Sequence, residues 1–224
     1  GVTLNDTYTQ MAQTGSMLNA ANNQLSHYPS RPSGMSDELY ELGYSGTSSS
    51  NIAMTSWRSS LLKSLMMWMD DSDSSNIDRL GHRRWILNPT MQQTGFGYAV
   101  SNSGAAYSSV YVFDYDYHNT DVTGVAWPAT EMPKRYFESS SAWSYSYGSS
   151  LNGNVSVKLQ CLTTGRERTW NFSSAASDGY FNVDNGGYGQ KGCVIFKPDS
   201  ISLQAGEDYE VTITQDGTVI ADYT

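Results

Sequence analysis

Positive charge is scarce in this chain. Thirteen Lys and Arg stand against 22 Asp and Glu over 224 residues, a net charge of −9. Affinity for a nucleic-acid backbone comes mainly from Lys and Arg, and docking to anionic lipid needs basic clusters. The composition argues against both partners. Charge of either sign is also low, at 16% against about 25% in ordinary domains. Ser, Thr, Asn and Gly fill the gap, so the surface is made polar by hydroxyls and amides. No apolar run approaches the roughly 18 residues of a membrane helix. Cysteine is nearly absent: Cys161 and Cys193 are the whole supply. One pair in an acidic, hydroxyl-rich chain suits an extracellular protein, with the pair either bridged or left as two buried thiols. A bridge would close a loop of about 30 residues and stabilise by roughly 3–4 kcal/mol. The chain opens at Gly1 without Met or a signal pattern, which points to upstream sequence removed by processing or cloning.

What is present changes character near residue 130. Tyr8, Met11, Ala12, Leu18, Ala21 and Leu25 recur at helical spacing and predict a helix over 6–26 with Asp6 as N-cap. Tyr28-Pro29 and Arg31-Pro32 stop it just past His27. A Gly/Ser-rich loop is expected over 33–51. A second helix follows over 56–69, with Trp57, Leu61, Leu65 and Trp68 as its stripe, and a third, short one over 76–87. Between them Asp70, Asp71, Asp73 and Asp78 read as a solvated turn, with Asp73 or Ser75 as cap. The run fails as an EF-hand calcium loop, because the sixth and twelfth positions from Asp71 are Asn76 and His82. Strands are expected over 95–100, 109–114 and 122–127. Asp114 and Asp116, with Tyr111, Tyr115, Tyr117 and His118, suggest an aromatic-acidic patch suited to carbohydrate or protein binding, or ordinary strand packing. After Pro133 the signals are β throughout: Val155–Leu159 and Tyr209–Ile213 alternate, and Asn152-Gly153 and Asp216-Gly217 read as hairpin turns. A small sandwich is predicted there.

The most informative stretch is Gly81-His82-Arg83-Arg84-Trp85-Ile86-Leu87-Asn88-Pro89, followed by Gly95-Phe96-Gly97. Upstream, His27 closes a helix and Ser50-Asn51-Ile52-Ala53 precedes the next one. Residues, spacing and order together resemble the CAP superfamily (cysteine-rich secretory, antigen 5 and pathogenesis-related proteins; SCP domains). With Arg31-Pro32-Ser33-Gly34-Met35-Ser36 and an appended β region, the chain resembles secreted members of Gram-positive bacteria.

The resemblance implies an α+β fold: a CAP-type α-β-α sandwich over 1–133, lacking the family's first helix, then a small all-β (Ig-like) sandwich over 134–224. It also implies a cleft in which two His and two acids bind a divalent metal such as zinc. The histidines fall at His27 and His82. The first acid position is Ser50, and no Asp or Glu stands at the second, around 57–63. Such a site would hold zinc weakly. The leading expectation is therefore a secreted or cell-surface protein, non-enzymatic, that binds a small apolar molecule, lipid, peptide or cell-surface partner through His27, Ser50, Asn51 and His82. Two readings stand beside it. One is a hydrolase or metal-dependent enzyme using His27, His82 and Ser50, although no Gly-x-Ser-x-Gly elbow is present. The other is a surface adhesin acting through the β module.

Overall fold

A computed structural model describes residues 1–114, 121–171, 179–199 and 201–224. The fold mixes helix and sheet in two compact units. One is Gly1–Met69 with Trp85–Thr120, the other Asp70–Arg84 with Asp121–Thr224.

The first unit begins with β1 (Thr3–Leu4) and α1 (Asp6–Asn22). The N-cap of α1 is Asn5, one residue before the expected Asp6: its side chain accepts from the Tyr8 amide at 3.0 Å. Asn23, in the left-handed region at φ 49°, ends the helix, so His27 lies beyond it and not at its tip. Next in chain order come α2 (Asp37–Ser48), β2 (Ser50–Thr55), α3 (Leu61–Asp70) and α4 (Gly81–Ile86), of which residues 81–84 belong to the second unit. Then follow β3 (Gln93–Thr94), β4 (Phe96–Val100) and β5 (Ala106–Tyr111). The loop expected over 33–51 is in fact α2 and the start of β2. Ser36 caps α2, accepting from the Leu39 amide.

The sheet of this unit is antiparallel, in the order β2-β5-β4, and β1 pairs with β3 in parallel. Successive side chains of β5 point to opposite faces, as a strand requires. Ser109 receives the Ser16 hydroxyl of α1 at 2.9 Å, and Ser108 receives the Ser64 hydroxyl of α3 at 3.0 Å. On the α3 face Ala53, Trp68, Val110 and Val112 form the core. The Trp68 indole donates to the Ile52 carbonyl. On the other face Tyr8 of α1 stacks on Tyr111 with centroids 4.1 Å apart. One helix on each face of one sheet is the α-β-α layering that the resemblance implies.

The glycines explain how closely the layers approach. A Cβ on Gly97 would stand 2.1 Å from the Ala12 carbonyl oxygen of α1, and one on Gly46 would stand 1.9 Å from the Met11 oxygen. Gly43 and Gly46 look loop-like in sequence. They are the face on which α2 meets α1.

The second unit continues with β6 (Val125–Trp127), a 3₁₀ turn (Lys134–Tyr136), β7 (Trp143–Ser146), β8 (Val155–Cys161) and β9 (Glu167–Trp170). It ends with β10 (Tyr180–Asp184), β11 (Cys193–Lys197), β12 (Tyr209–Gln215) and β13 (Thr218–Tyr223). Two antiparallel sheets form, β10-β11-β7-β6 and β13-β12-β8-β9. Their inward faces share one core, with Trp143, Val194 and Phe196 from one and Val157, Leu159, Trp170, Val211 and Ile213 from the other. β8 alternates buried and half-buried through its length. Asp216 and Gly217, both at positive φ, close the β12–β13 hairpin as expected. Asn152-Gly153 is not a hairpin turn. It carries the chain from β7 to β8, which lie in different sheets.

The close approach in the first unit is directly testable. Gly97→Ala forces the α1 backbone away from β4 and is expected to cost about 3 kcal/mol or more in urea unfolding. Unchanged stability would mean that α1 shifts without cost.

Candidate functional site

In the first unit His27 is exposed, and its Nδ1–H donates to the Thr47 carbonyl at 2.8 Å. Thr47 answers with its hydroxyl, which donates to the His27 carbonyl at 2.9 Å. This reciprocal pair fixes the loop that follows α1 onto the last turn of α2. Around it lies an aromatic patch that the sequence reading missed. Tyr28 is 71% exposed and its ring lies 6.0 Å from Tyr44, which lies 5.7 Å from Tyr40. Tyr40 and Tyr44 are four apart, one helical turn. The spacing is visible in the sequence once α2 is taken as a helix.

Ser50 and Asn51 open β2, paired with Tyr111 and Val110 of β5. Both are buried, 4% exposed each. The Ser50 hydroxyl has no hydrogen-bond partner among the described residues. No serine–imidazole hydrogen bond therefore links Ser50 to a base, although nucleophilic catalysis starts from such a pair.

His82 belongs to the second unit. Asp71, expected in a solvated turn, is buried and holds it. The Asp71 carboxylate accepts from His82 Nδ1–H at 2.8 Å, from the His82 amide at 2.9 Å and from the Arg83 amide at 3.3 Å. Asp71 sits at φ 47°, a left-handed conformation that Asp tolerates better than most residues. With Nδ1 donating, the neutral ring presents Nε2 as its acceptor nitrogen. Asp73 does behave as a local cap, accepting from the Ser75 amide and from Asn76.

After His82, α4 carries two buried arginines. Arg83 donates to the Ala142 carbonyl at 2.8 Å, to the Ser144 hydroxyl at 3.1 Å and to the Asp70 carbonyl. Burial pushes its pKa down to about 10, against the pull of Asp71. Arg84 pairs with Asp184 and donates to the Gly186 and Gln190 carbonyls at 2.7 and 2.6 Å. Its guanidinium also faces the Tyr188 ring at 5.3 Å.

A zinc centre takes three or four strong ligands. The acid positions hold Ser50 and no carboxylate. Nδ1 of each histidine donates, to the Thr47 carbonyl and to Asp71, which leaves Nε2 as the nitrogen that could take a metal; two imidazoles alone fall short of the ligand count. Among the described residues no group of three or more His, Cys, Asp or Glu could hold a metal ion. The donor set does not fit the family's metal site. Asp114 is likewise structural: buried, it accepts from the Tyr8 hydroxyl and from the Gln92 and Gln93 amides. Tyr115, Asp116, Tyr117 and His118 lie outside the described residues.

The bridge between Cys161 and Cys193 is not formed. Both are buried free thiols, on strands of different sheets. Burial pushes the Cys193 thiol up, against the pull of Arg84. At Cys161 burial also acts upward, but hydrogen bonds from Thr164 prevail and the thiol lies below its usual range.

A family model described as "CAP: Cysteine-rich secretory protein family" matches residues 2–115. No curated protein matches the chain, and no solved structure does. No helix among the described residues is long and apolar enough to cross a membrane.

Two outcomes follow from the site. Asp71→Ala leaves two amides and an imidazole without their acceptor and is expected to destabilise the protein by about 3 kcal/mol in denaturant unfolding. A cost near zero would show that water replaces the carboxylate. In native alkylation Cys161 is expected to react before Cys193, and both only slowly. Equal fast labelling would contradict their burial.

Proposed function

Because the chain belongs to the CAP, or cysteine-rich secretory protein, family, we propose that it is a secreted or cell-surface CAP-domain protein whose first unit binds a ligand and does not turn it over. The ligand class is a small apolar molecule, lipid or peptide. The observation that carries this reading is Ser50. At the position where the resemblance places the family's first acid, the chain has a buried hydroxyl without a hydrogen-bond partner among the described residues. That hydroxyl is neither an acid nor an activated nucleophile. Two features support capture. His27 and Tyr28 are exposed beside Tyr44, a patch with apolar faces and polar tips. Met54, Met66 and Met67 are exposed on β2 and α3, and methionine surfaces adapt to varied apolar partners.

One observation favours the enzymatic reading. Asp71 orients the His82 ring as an acid does in a general-base pair. In this chain that contact also satisfies two backbone amides, so a structural role accounts for it.

The test uses wild type, Ser50→Ala and His27→Ala. Removing an unpaired buried hydroxyl is expected to raise stability by about 1 kcal/mol. A fluorescent fatty acid and a tyrosine-rich peptide serve as binding probes, with His27→Ala weakening whichever one binds. Zinc alone is expected to move the melting temperature little. Turnover of an ester or peptide substrate that disappears in Ser50→Ala would overturn the reading in favour of a hydrolase.

A further inference from the structure

The second unit contains a cavity of about 250 Å³ that none of the readings above uses. Its wall is aromatic. Phe137 meets Trp143 edge-on with centroids 5.2 Å apart, and the Tyr209 ring lies 5.9 Å from Trp143 at a 60° tilt. Phe137 and Trp143 are 4% and 6% exposed and form the floor, while Tyr209 is half-buried. Met132 and Leu203 add apolar surface. The Leu203 amide donates to the Ser139 hydroxyl at 3.0 Å, which ties the 203–209 stretch down over the rings.

Against this wall stands a fixed anion. The Glu207 carboxylate accepts from the Tyr209 hydroxyl at 2.6 Å and from the Gln204 amide at 3.0 Å. These two donors hold Glu207 below the usual carboxylate range, with Arg166 and Lys134 adding to the effect. Around the cavity two carboxylates, Glu207 and Asp208, face one ammonium, Lys134.

Ring faces and a carboxylate together select by charge. A neutral apolar guest gains the rings but must desolvate the carboxylate. An anion is repelled by both. A substituted ammonium group gains the ring quadrupoles and the carboxylate at once. The cavity is smaller than a drug-sized site and suits a head group.

We propose that this cavity binds a small organic cation, a substituted ammonium group, through the Phe137, Trp143 and Tyr209 rings and the Glu207 carboxylate. The proposal is independent of ligand capture by the first unit. A quaternary head group and a lysine side chain share this chemistry, and the choice of probes separates them.

The experiment is ligand-observed NMR on the full chain. Tetramethylammonium and n-butylammonium are the cationic probes, and 3,3-dimethylbutan-1-ol is the neutral one. A cation seated against the rings should show upfield-shifted methyl or methylene protons and millimolar affinity. The tighter of the two cations identifies the source, quaternary or primary. Glu207→Gln is expected to weaken the cation about tenfold, to leave the alcohol unchanged and to keep the melting temperature. Tyr209→Phe, which keeps the ring and frees Glu207, is the second variant and should retain part of the binding. The proposal is overturned if the alcohol binds wild type as tightly as the cations. It is equally overturned if Glu207→Gln binds them undiminished, or if neither cation shifts at tens of millimolar.

Discussion

A guanidinium with no solvent exposure sits at the centre of the second unit. Arg83 is 0% exposed. A buried charge is tolerated only when its hydrogen-bonding capacity is met. Here the partners are the Ala142 carbonyl on the approach to β7, the Ser144 hydroxyl on β7 and the Asp70 carbonyl. The Trp127 ring at 5.9 Å covers one side. Arg84, next in sequence, reaches Asp184 and the Gly186 and Gln190 carbonyls around the turn between β10 and β11, with its Nε buried and without a partner among the described residues. Two adjacent arginines therefore clamp residues 70–84 onto strands more than fifty residues later in the chain. Ile77 and Leu80 complete the attachment by packing with Ala142, Cys193 and Ile195. The position of His82 follows from this clamp. The residue is held where its neighbours are anchored, and Asp71 then fixes the ring.

The first unit joins its layers mostly without charge, Asp114 under Tyr8 being a buried exception. Its layers are joined by hydroxyl pairs, Ser16 to Ser109 and Ser64 to Ser108, and by glycines that let backbones touch. A hydroxyl pair satisfies itself in a dry interface and needs no counter-ion. That is the structural counterpart of a composition rich in Ser and poor in charge. Part of the Ser content that looks like surface in the sequence is buried, as Ser16, Ser64 and Ser109 show at 0% exposure.

These two devices explain what was legible in the sequence. α1, β8, β12 and the β12–β13 turn follow from periodicity and turn chemistry, whereas α3 starts five residues later than expected, with Trp57 outside it at φ 57° and 78% exposed. The family was legible because His82–Pro89 and Gly95–Gly97 keep their spacing. α2 was not, because its contact face is Gly43, Gly46 and Thr47, residues whose usual meaning is a loop. Helix propensity counts against Gly, and only the nearness of α1 reverses that reading. Asp71 was not legible either. Four acids in a short run read as solvated, and nothing local marks which one turns inward to meet two amides and an imidazole. The cysteine pair, left open in the sequence between a bridge and two thiols, is two buried free thiols on β8 and β11.

The functional conclusion depends on which groups have already spent their hydrogen bonds. In the residues carried over from the family, Nδ1 of His27 is taken by Thr47 and Nδ1 of His82 by Asp71, while Ser50 is buried without a partner among the described residues. Nucleophilic catalysis starts from a nucleophile paired to a base and a base oriented by a third group; Asp71 orients His82, but Ser50 is paired to neither histidine. Polar groups that are both accessible and oriented beside aromatic rings lie in each unit. In the first unit they are the exposed imidazole and tyrosines around His27. In the second they are a carboxylate held by Tyr209 over an aromatic floor. Both are recognition chemistries, with rings supplying area and one polar group supplying direction. The fold keeps the family's layers, and at the position where the resemblance places the first acid it carries a buried hydroxyl instead of a carboxylate.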